Sequence, residues 1–353
     1  MSSLASFPQE IIFEILSNLP LRTIELVALT LNHPVTEICI SLLQPLFKAR
    51  RTAKRLTKRF GPVIEKPFMS DKPSVKLKKL QSGENREALG LSPRDVLEWP
   101  SEGWTPDLGY LDLCGDLEWL NPLQPGLAQS MSSYWHGPAA DLTQYADLIT
   151  SAEHVGVTLP PAFLKFMKSP ERQKRIPSSN AAFFCLGERG LHRVPKSLDG
   201  GARGYLIRIL SDQQACYFIH LYLEPGEHGG HCVLYSGHDY HWLWRDVSGI
   251  SRVTITDAER QEAQGLGVMI AEQPADPSSV RVVGLDFEEW LARMYYEESL
   301  RFLLNTDDDS KCPTDGLKEY VKTNFVSSTL DHTPGVLSDD SEPLGYESPD
   351  EDE

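Results

Sequence analysis

Five side chains that can bind a metal ion lie within fourteen residues in the second half of the chain. They follow the pattern His-x2-His-Cys-x5-His-x2-His and are His228, His231, Cys232, His238 and His241. Imidazole and thiolate are ligands that zinc prefers, and a zinc-bound water is a hydrolytic nucleophile at neutral pH. The pattern therefore raises the hypothesis of a metal-dependent hydrolase.

The spacing of these residues argues against a single metal centre. If a turn at 237–239 joins two antiparallel strands and Ser236 faces Tyr240, then His231 and His241 are offset along the ladder by ~13 Å at ~3.3 Å per residue. Zinc ligands must each lie ~2.0 to 2.1 Å from the ion. We therefore expect exposed turn histidines, with no metal and no cofactor.

Other catalytic constellations are also weak in this sequence. Cys216 and His220 share a strand face but are four residues apart, again ~13 Å, which is too far for a thiolate and imidazolium pair. The sequence has no P-loop and no G-x-S-x-G elbow. We expect a binding protein and not an enzyme.

Length and composition set the broad class. The 353 residues predict two or three folding units, and 41% apolar with 24% charged residues is ordinary for a globular protein. The formal charge of -16 does not favour nucleic acid or an anionic membrane as a partner. With no C-x-x-C pair, no secretory-signal pattern and no membrane-spanning run, we expect a cytoplasmic or nuclear location, or both.

Residues 4–47 carry apolar side chains at helical spacing in three short stretches. Pro20 ends the first stretch, and His33 with Pro34 separates the second from the third. The segment is near the lower size limit for a self-sufficient core, and Leu26 and Leu29 lie off the main face of the second helix. This surplus apolar surface predicts a protein partner.

A basic stretch and a tryptophan-rich segment follow. Residues 48–79 hold twelve Lys and Arg against two acids, which predicts for 48–80 a basic linker or a solvated helix extension, with nuclear import through 48–59 as the alternative. Residues 81–140 contain four tryptophans among many prolines and glycines. We expect an irregular segment that packs on the domain after it.

Residues 142–304 have the pattern of an α+β domain. Two amphipathic helices come first, and a closing helix begins at Asp286 with an N-cap side chain. Between them the sequence predicts a single, mostly antiparallel, six-stranded sheet flanked by helices, with strands at 183–186, 191–194, 204–211, 215–223, 231–236 and 240–244. A short helical segment is expected at 305–330.

The last residues, 331–353, contain nine acids and no Lys or Arg. A segment of this composition buries too little apolar surface to offset the entropy of ordering, so we expect a disordered tail. Ser348, which precedes a proline and a run of acids, is a candidate phosphate acceptor.

The N-terminal segment resembles an F-box. The residues that carry the resemblance are Phe7-Pro8-Gln9-Glu10-Ile11-Ile12, Ile15-Leu16, Leu19-Pro20, Leu26 and Leu29, with Phe7 standing where the family usually has leucine. The resemblance implies that three helices dock on the SKP-type adaptor of a cullin-based ubiquitin ligase. The adaptor-binding residues it implies are Pro8, Ile12, Leu16, Leu19, Pro20 and Leu26.

The α+β segment resembles the SUKH (Smi/Knr-like) superfamily. The resemblance rests on Gly156-Val157, Leu159-Pro160, Phe163-Leu164 and the closing helix at 287–291, while Ser169-Pro170-Glu171 replaces the usual Asn-Gly. Members of this superfamily are protein-binding modules without shared catalytic residues. For an unidentified target protein we expect contacts on the turns at 224–230 and 237–240 and on the following strand, namely Glu224, His228, Asp239, Tyr240, Trp242 and Trp244.

Three functions remain open at this point. The first is the substrate-recognition subunit of an SKP-cullin-F-box ubiquitin ligase, in which the F-box binds the adaptor and the SUKH-like module binds the target. The second is a non-ligase interaction or regulatory protein of the SUKH type. The third is the metal-dependent hydrolase based on His228 to His241.

Overall fold

The computed structural model describes residues 8–17, 19, 23–24, 27–28, 35–63, 78–98, 106–122, 141–179, 182–186, 190–212, 218–226, 229–236, 256–270, 280–305 and 313–327. The helices are α1 (Gln9–Ser17), α2 (Val35–Phe60), α3 (Gly83–Ala88), α4 (Leu142–Val155), α5 (Pro161–Met167), α6 (Pro170–Gln173), α7 (Lys196–Asp199), α8 (Asp257–Gly265), α9 (Phe287–Asn305) and α10 (Asp315–Phe325). The strands are β1 (Val96–Leu97), β2 (Phe183–Phe184), β3 (His192–Arg193), β4 (Tyr205–Ser211), β5 (Phe218–Leu223), β6 (His231–Ser236), β7 (Met269–Ile270), β8 (Val280–Gly284) and β9 (Val326–Ser327). This composition confirms the α+β class predicted for the fold.

The main sheet is mostly antiparallel, as predicted. Its order is β7-β3-β4-β5-β6-β8, with β2 also paired to β4, and β3 with β7 is a parallel pair. Within the described residues the sheet has seven strands, so the predicted count of six is wrong. The two-residue strand β7 is too short to show a sequence period, and β8 was not predicted. The predicted strand at 240–244 lies outside the described residues.

Both faces of the central strands are covered. On β4 and β5 one set of side chains, including Ile207 and Leu221, joins a large core with α5 and α9. The alternate side chains, including Leu206 and Tyr222, join a second core on the other face. This arrangement explains why β5 is buried along its whole length and why its sequence is nearly continuous in apolar residues.

The segment before α4 packs into the large core. Trp119 is buried against Tyr295 and Tyr296 of α9. Its indole Nε1 donates a hydrogen bond to Glu288 Oε1 at 2.9 Å, and the backbone N–H of Gly115 donates to Glu288 Oε2 at 2.7 Å. One buried carboxylate therefore holds the irregular segment on the closing helix.

Helix α2 is 26 residues long and joins two cores. Its first half packs with α1 in a separate cluster made by Ile12, Leu16, Ile24, Val35, Cys39 and Leu43. Its last turns place Leu56 and Phe60 in the second core of the sheet. The basic residues 48–59 therefore belong to a continuous helix that is anchored at its end, and the predicted boundary at residue 47 falls inside this helix.

No helix in the described ranges combines the length and the apolar character needed to cross a bilayer.

Candidate protein-interaction site

Helix α1 turns two of the predicted adaptor contacts inward. Ile12 and Leu16 are each 1% exposed and face α2 in the small N-terminal core. Both side chains are therefore inaccessible to an adaptor in this conformation, and the predicted adaptor contact stays a prediction. Apolar side chains lie on several sides of α1, so the sequence did not show which side is inside.

The other predicted adaptor contacts have mixed positions. Pro8 is exposed, and Leu19 is partly buried against the small core. Pro20 and Leu26 lie outside the described residues. Among the predicted adaptor contacts that lie within the described residues, Pro8 is thus the one that is exposed and accessible to a partner.

A different set of apolar side chains is exposed on this helical unit. Ile11, Phe13 and Ile15 of α1 and Ile40 of α2 are 42%, 47%, 43% and 43% exposed. Among the described residues six large apolar side chains are exposed, and these are four of them. Ile11 and Ile15 are one helical turn apart and form one patch beside the buried face. The predicted surplus of apolar surface is present, but on other residues.

The last turns of α2 are held on the sheet by a buried carboxylate. Glu224, directly after β5, is 8% exposed and forms ion pairs with Arg55 and Arg59. Arg59 also donates a hydrogen bond from Nη1 to the Tyr222 hydroxyl at 2.9 Å. The Phe60 and Tyr222 rings pack edge to face with centroids 4.9 Å apart. Glu224 therefore acts inside the fold and is not the exposed target contact that was predicted.

The electrostatics of this junction favour the charged forms of Glu224 and Arg59. Burial by itself would raise the pKa of Glu224, but hydrogen bonds and charge from Arg55 and Arg59 outweigh it, and the pKa is lowered. Burial opposes the charge on Arg59 as well, yet the bond to Glu224 raises the pKa of its guanidinium. The carboxylate stays ionised at neutral pH and keeps both arginines paired.

The turn after Glu224 is also covered by α2. A side-chain carbon added at Gly230 would lie 2.3 Å from Thr52 Cγ2, so the helix approaches the glycine backbone directly. The Glu224 N–H donates to the Gly230 carbonyl at 2.8 Å and closes the turn. The side of the turn at Gly230 that faces α2 is therefore covered, and target recognition by residues 224–230 stays a prediction.

The candidate metal ligands are only partly within the described residues. His231 and Cys232 are neighbours on β6, so their side chains point to opposite faces. The backbone N–H of Phe287 donates to His231 Nε2 at 3.3 Å, and Asp286 Oδ2 lies 3.3 Å from the same nitrogen. In the part of the chain that the structure describes, no three His, Cys, Asp or Glu side chains are grouped to hold a metal. His228, His238 and His241 lie outside it.

The remaining predicted target contacts also fall on residues without a described structure. These are Asp239, Tyr240, Trp242 and Trp244, together with the candidate phosphate acceptor Ser348. Their roles stay predictions.

A cavity of ≈ 470 Å³ lies where the irregular segment meets the junction of β8 and α9. Its walls are mainly apolar, with Leu108, Leu111 and Trp290 among them, and Glu289 and Arg293 are its charged residues. Burial, followed by the nearby Asp286 charge, raises the pKa of Glu289. Sequence reasoning missed this cavity because its walls come from segments more than 150 residues apart.

Comparison with models of protein families finds no match to this chain, and comparisons with curated proteins and with solved structures find none either. The functional argument therefore rests on the geometry. That geometry consists of a small helical unit with exposed isoleucines, connected by one long anchored helix to a sheet covered on both faces.

Proposed function

We propose that the chain is the substrate-recognition subunit of an SKP-cullin-F-box ubiquitin ligase. In this proposal the F-box-like unit binds the SKP-type adaptor, and the SUKH-like α+β domain binds the target protein. The observation that carries the proposal is the patch of Ile11 and Ile15, which leaves apolar surface exposed on a unit that already has its own core. Apolar side chains of this kind form the centre of stable protein interfaces.

The adaptor contact is reassigned to the exposed residues. Ile11 and Ile15 take the role that the F-box resemblance implied for Ile12 and Leu16, while Pro8 keeps it. Substituting Leu16 would mainly disrupt the small core, so a loss of adaptor binding in that variant would not identify the interface. Substituting Ile15 tests the surface itself.

The length and anchoring of helix α2 support separate binding roles for the helical unit and the α+β domain. At ~1.5 Å per residue its 26 residues span ~39 Å. One end is fixed in the small core and the other by Leu56, Phe60 and the Glu224 ion pairs. A partner bound to α1 is thus held at a defined distance from the sheet, which suits a protein that must present a target to a ligase.

The test is co-purification of the full chain with an SKP-type adaptor. Ile15→Asp should reduce complex formation at least tenfold and leave the melting temperature within a few degrees of the parent. Leu142→Asp is the matched control, because Leu142 is an exposed aliphatic residue, 54% exposed, outside the helical unit. If Ile11→Asp and Ile15→Asp both retain the adaptor at parental levels, the proposal fails.

The second candidate is a non-ligase interaction protein of the SUKH type. The observation in its favour is that α2 contributes Leu56 and Phe60 to the second core of the sheet, so the N-terminal helices are partly a structural cap. Under this function the purified chain is monodisperse without adaptor, and capture of its partner is unaffected by Ile15→Asp. Measuring both properties on one preparation separates the two candidates.

A further inference from the structure

The outer face of α2 carries three cations that face away from the sheet. They are Arg51, Lys54 and Lys58, here called the cationic stripe, and all three are exposed. At about 100° per residue they lie about 140° to 160° around the helix from Leu56. Since Leu56 is fully buried in the second core, the stripe lies on the opposite side of the helix.

The stripe contrasts with its two neighbours on the same helix. Arg55 and Arg59 are both paired with Glu224. For the three stripe residues, the described ranges contain neither an ion pair nor a side-chain hydrogen bond. This helix face is positively charged, although the chain as a whole has a net charge of -16. It attracts an anionic segment.

The chain itself contains a segment of matching charge. Residues 328–353 follow β9 and contain nine acids without a single Lys or Arg. Five of these acids are in the last seven residues, at positions 347 and 350–353. A flexible chain of 26 residues has a mean reach of ~25 to 30 Å, and a fully extended one reaches ~85 Å or more.

We propose that the acidic tail, residues 331–353, lies on the cationic stripe of the same molecule. The contact is electrostatic and involves no folding of the tail, because the segment has few large apolar residues to bury. Attachment to the same chain gives the tail an effective concentration in the millimolar range, which free acidic molecules rarely reach. An acidic segment of another protein must therefore displace the tail before it binds this face.

The experiment is carbodiimide cross-linking of the full chain, which joins lysine amines directly to carboxylates in contact, followed by peptide mass spectrometry. Lys54 and Lys58 should form several-fold more cross-links to the acids at 347–353 than Lys322 does. Lys322 is the matched control, since it is exposed and much closer to the tail in sequence. Raising the salt from about 0.1 M to about 1 M shortens the Debye length from ~10 Å to ~3 Å and should remove most of the excess.

Two further arms make the result decisive. Arg51→Gln removes one charge but keeps the reactive lysines, and it should lower the yield at Lys54 and Lys58 roughly twofold, as expected for one exposed charge pair. An equal mixture of isotopically heavy and light chains should give stripe cross-links within one copy. Yields at Lys322 that equal or exceed those of the stripe, an absence of stripe cross-links, or cross-links mainly between heavy and light copies would each overturn the proposal.

Discussion

Neutralising Glu224 should loosen the attachment of α2 to the sheet. In Glu224→Gln the side chain keeps its shape, but Arg55 and Arg59 lose the charge that both of them contact. Breaking a buried ion pair costs about 3 to 5 kcal/mol, whereas an exposed pair contributes only about 0.2 to 1 kcal/mol. Glu224 and Arg59 are 8% and 15% exposed, so we assign their ion pair a cost near the lower limit for a buried pair. Arg55 is 42% exposed, so we assign its ion pair the small contribution of an exposed pair.

The expected loss is therefore about 3 kcal/mol in the free energy of unfolding. For a domain of this size such a loss lowers the melting temperature by about 6 to 12 °C. Thermal and urea unfolding of the full chain measure it. Glu153→Gln is the matched control, because Glu153 is exposed on α4 and has no side-chain partner in the described ranges, and its effect should stay within about 0.5 kcal/mol.

The pH dependence of stability provides an independent test of the same prediction. Because the pKa of Glu224 is lowered in the folded chain, its stabilisation is fully present above the ordinary value of 4.5 and is lost as the pH falls through the folded pKa. The difference between the parent and Glu224→Gln should thus be constant near neutral pH and shrink below about pH 4.5. Equal stability of Glu224→Gln and Glu153→Gln at pH 7 would refute the view that this carboxylate anchors the helix.

Four further outcomes are expected. Leu16→Asp should destabilise the small N-terminal core by several kcal/mol, seen as early proteolysis of α1 and α2, whereas the exposed Ile15→Asp should leave proteolysis unchanged. Gly230→Ala should cost about 1 to 3 kcal/mol in urea unfolding because the new methyl group meets Thr52, and a neutral result would show that α2 can shift there freely. Burial, followed by the charges of Arg208 and His192, lowers the pKa of His220 to about 3. The parent should therefore lose stability relative to His220→Leu as the pH falls from about 6.5 toward 3. Parallel profiles of stability against pH for the two proteins would contradict this. Deleting the chain after Leu330 should leave the melting temperature unchanged at high salt, and a drop of several degrees would show that the tail folds onto the body.

Several local features of the structure have their cause in short stretches of sequence. Gly156 ends α4 with a φ of 69°, Pro161 occupies the first turn of α5, and the Asp286 carboxylate accepts the N–H groups of Glu288 and Glu289 at the start of α9. Strands β4, β5 and β6 lie within their predicted limits. These features depend on turn geometry, capping and alternation, which are properties of neighbouring residues.

The candidate site depended on contacts between distant residues, and there the sequence was insufficient. Nothing near Glu224 in the sequence indicates that its partners are Arg55 and Arg59, about 165 positions earlier. The apolar spacing of α1 likewise predicted a helix but not that Ile12 is buried and Ile15 exposed.

The sequence by itself thus determined the α+β class, the mostly antiparallel character of the sheet and the excess of apolar surface near the N-terminus. Tertiary structure alone decided which isoleucines remain exposed. It also showed that Glu224, which was predicted to contact a target protein, anchors α2 on the sheet. The physical reason is that secondary structure responds to neighbours within a few positions, whereas burial and ion pairing depend on which distant surfaces the folded chain brings together.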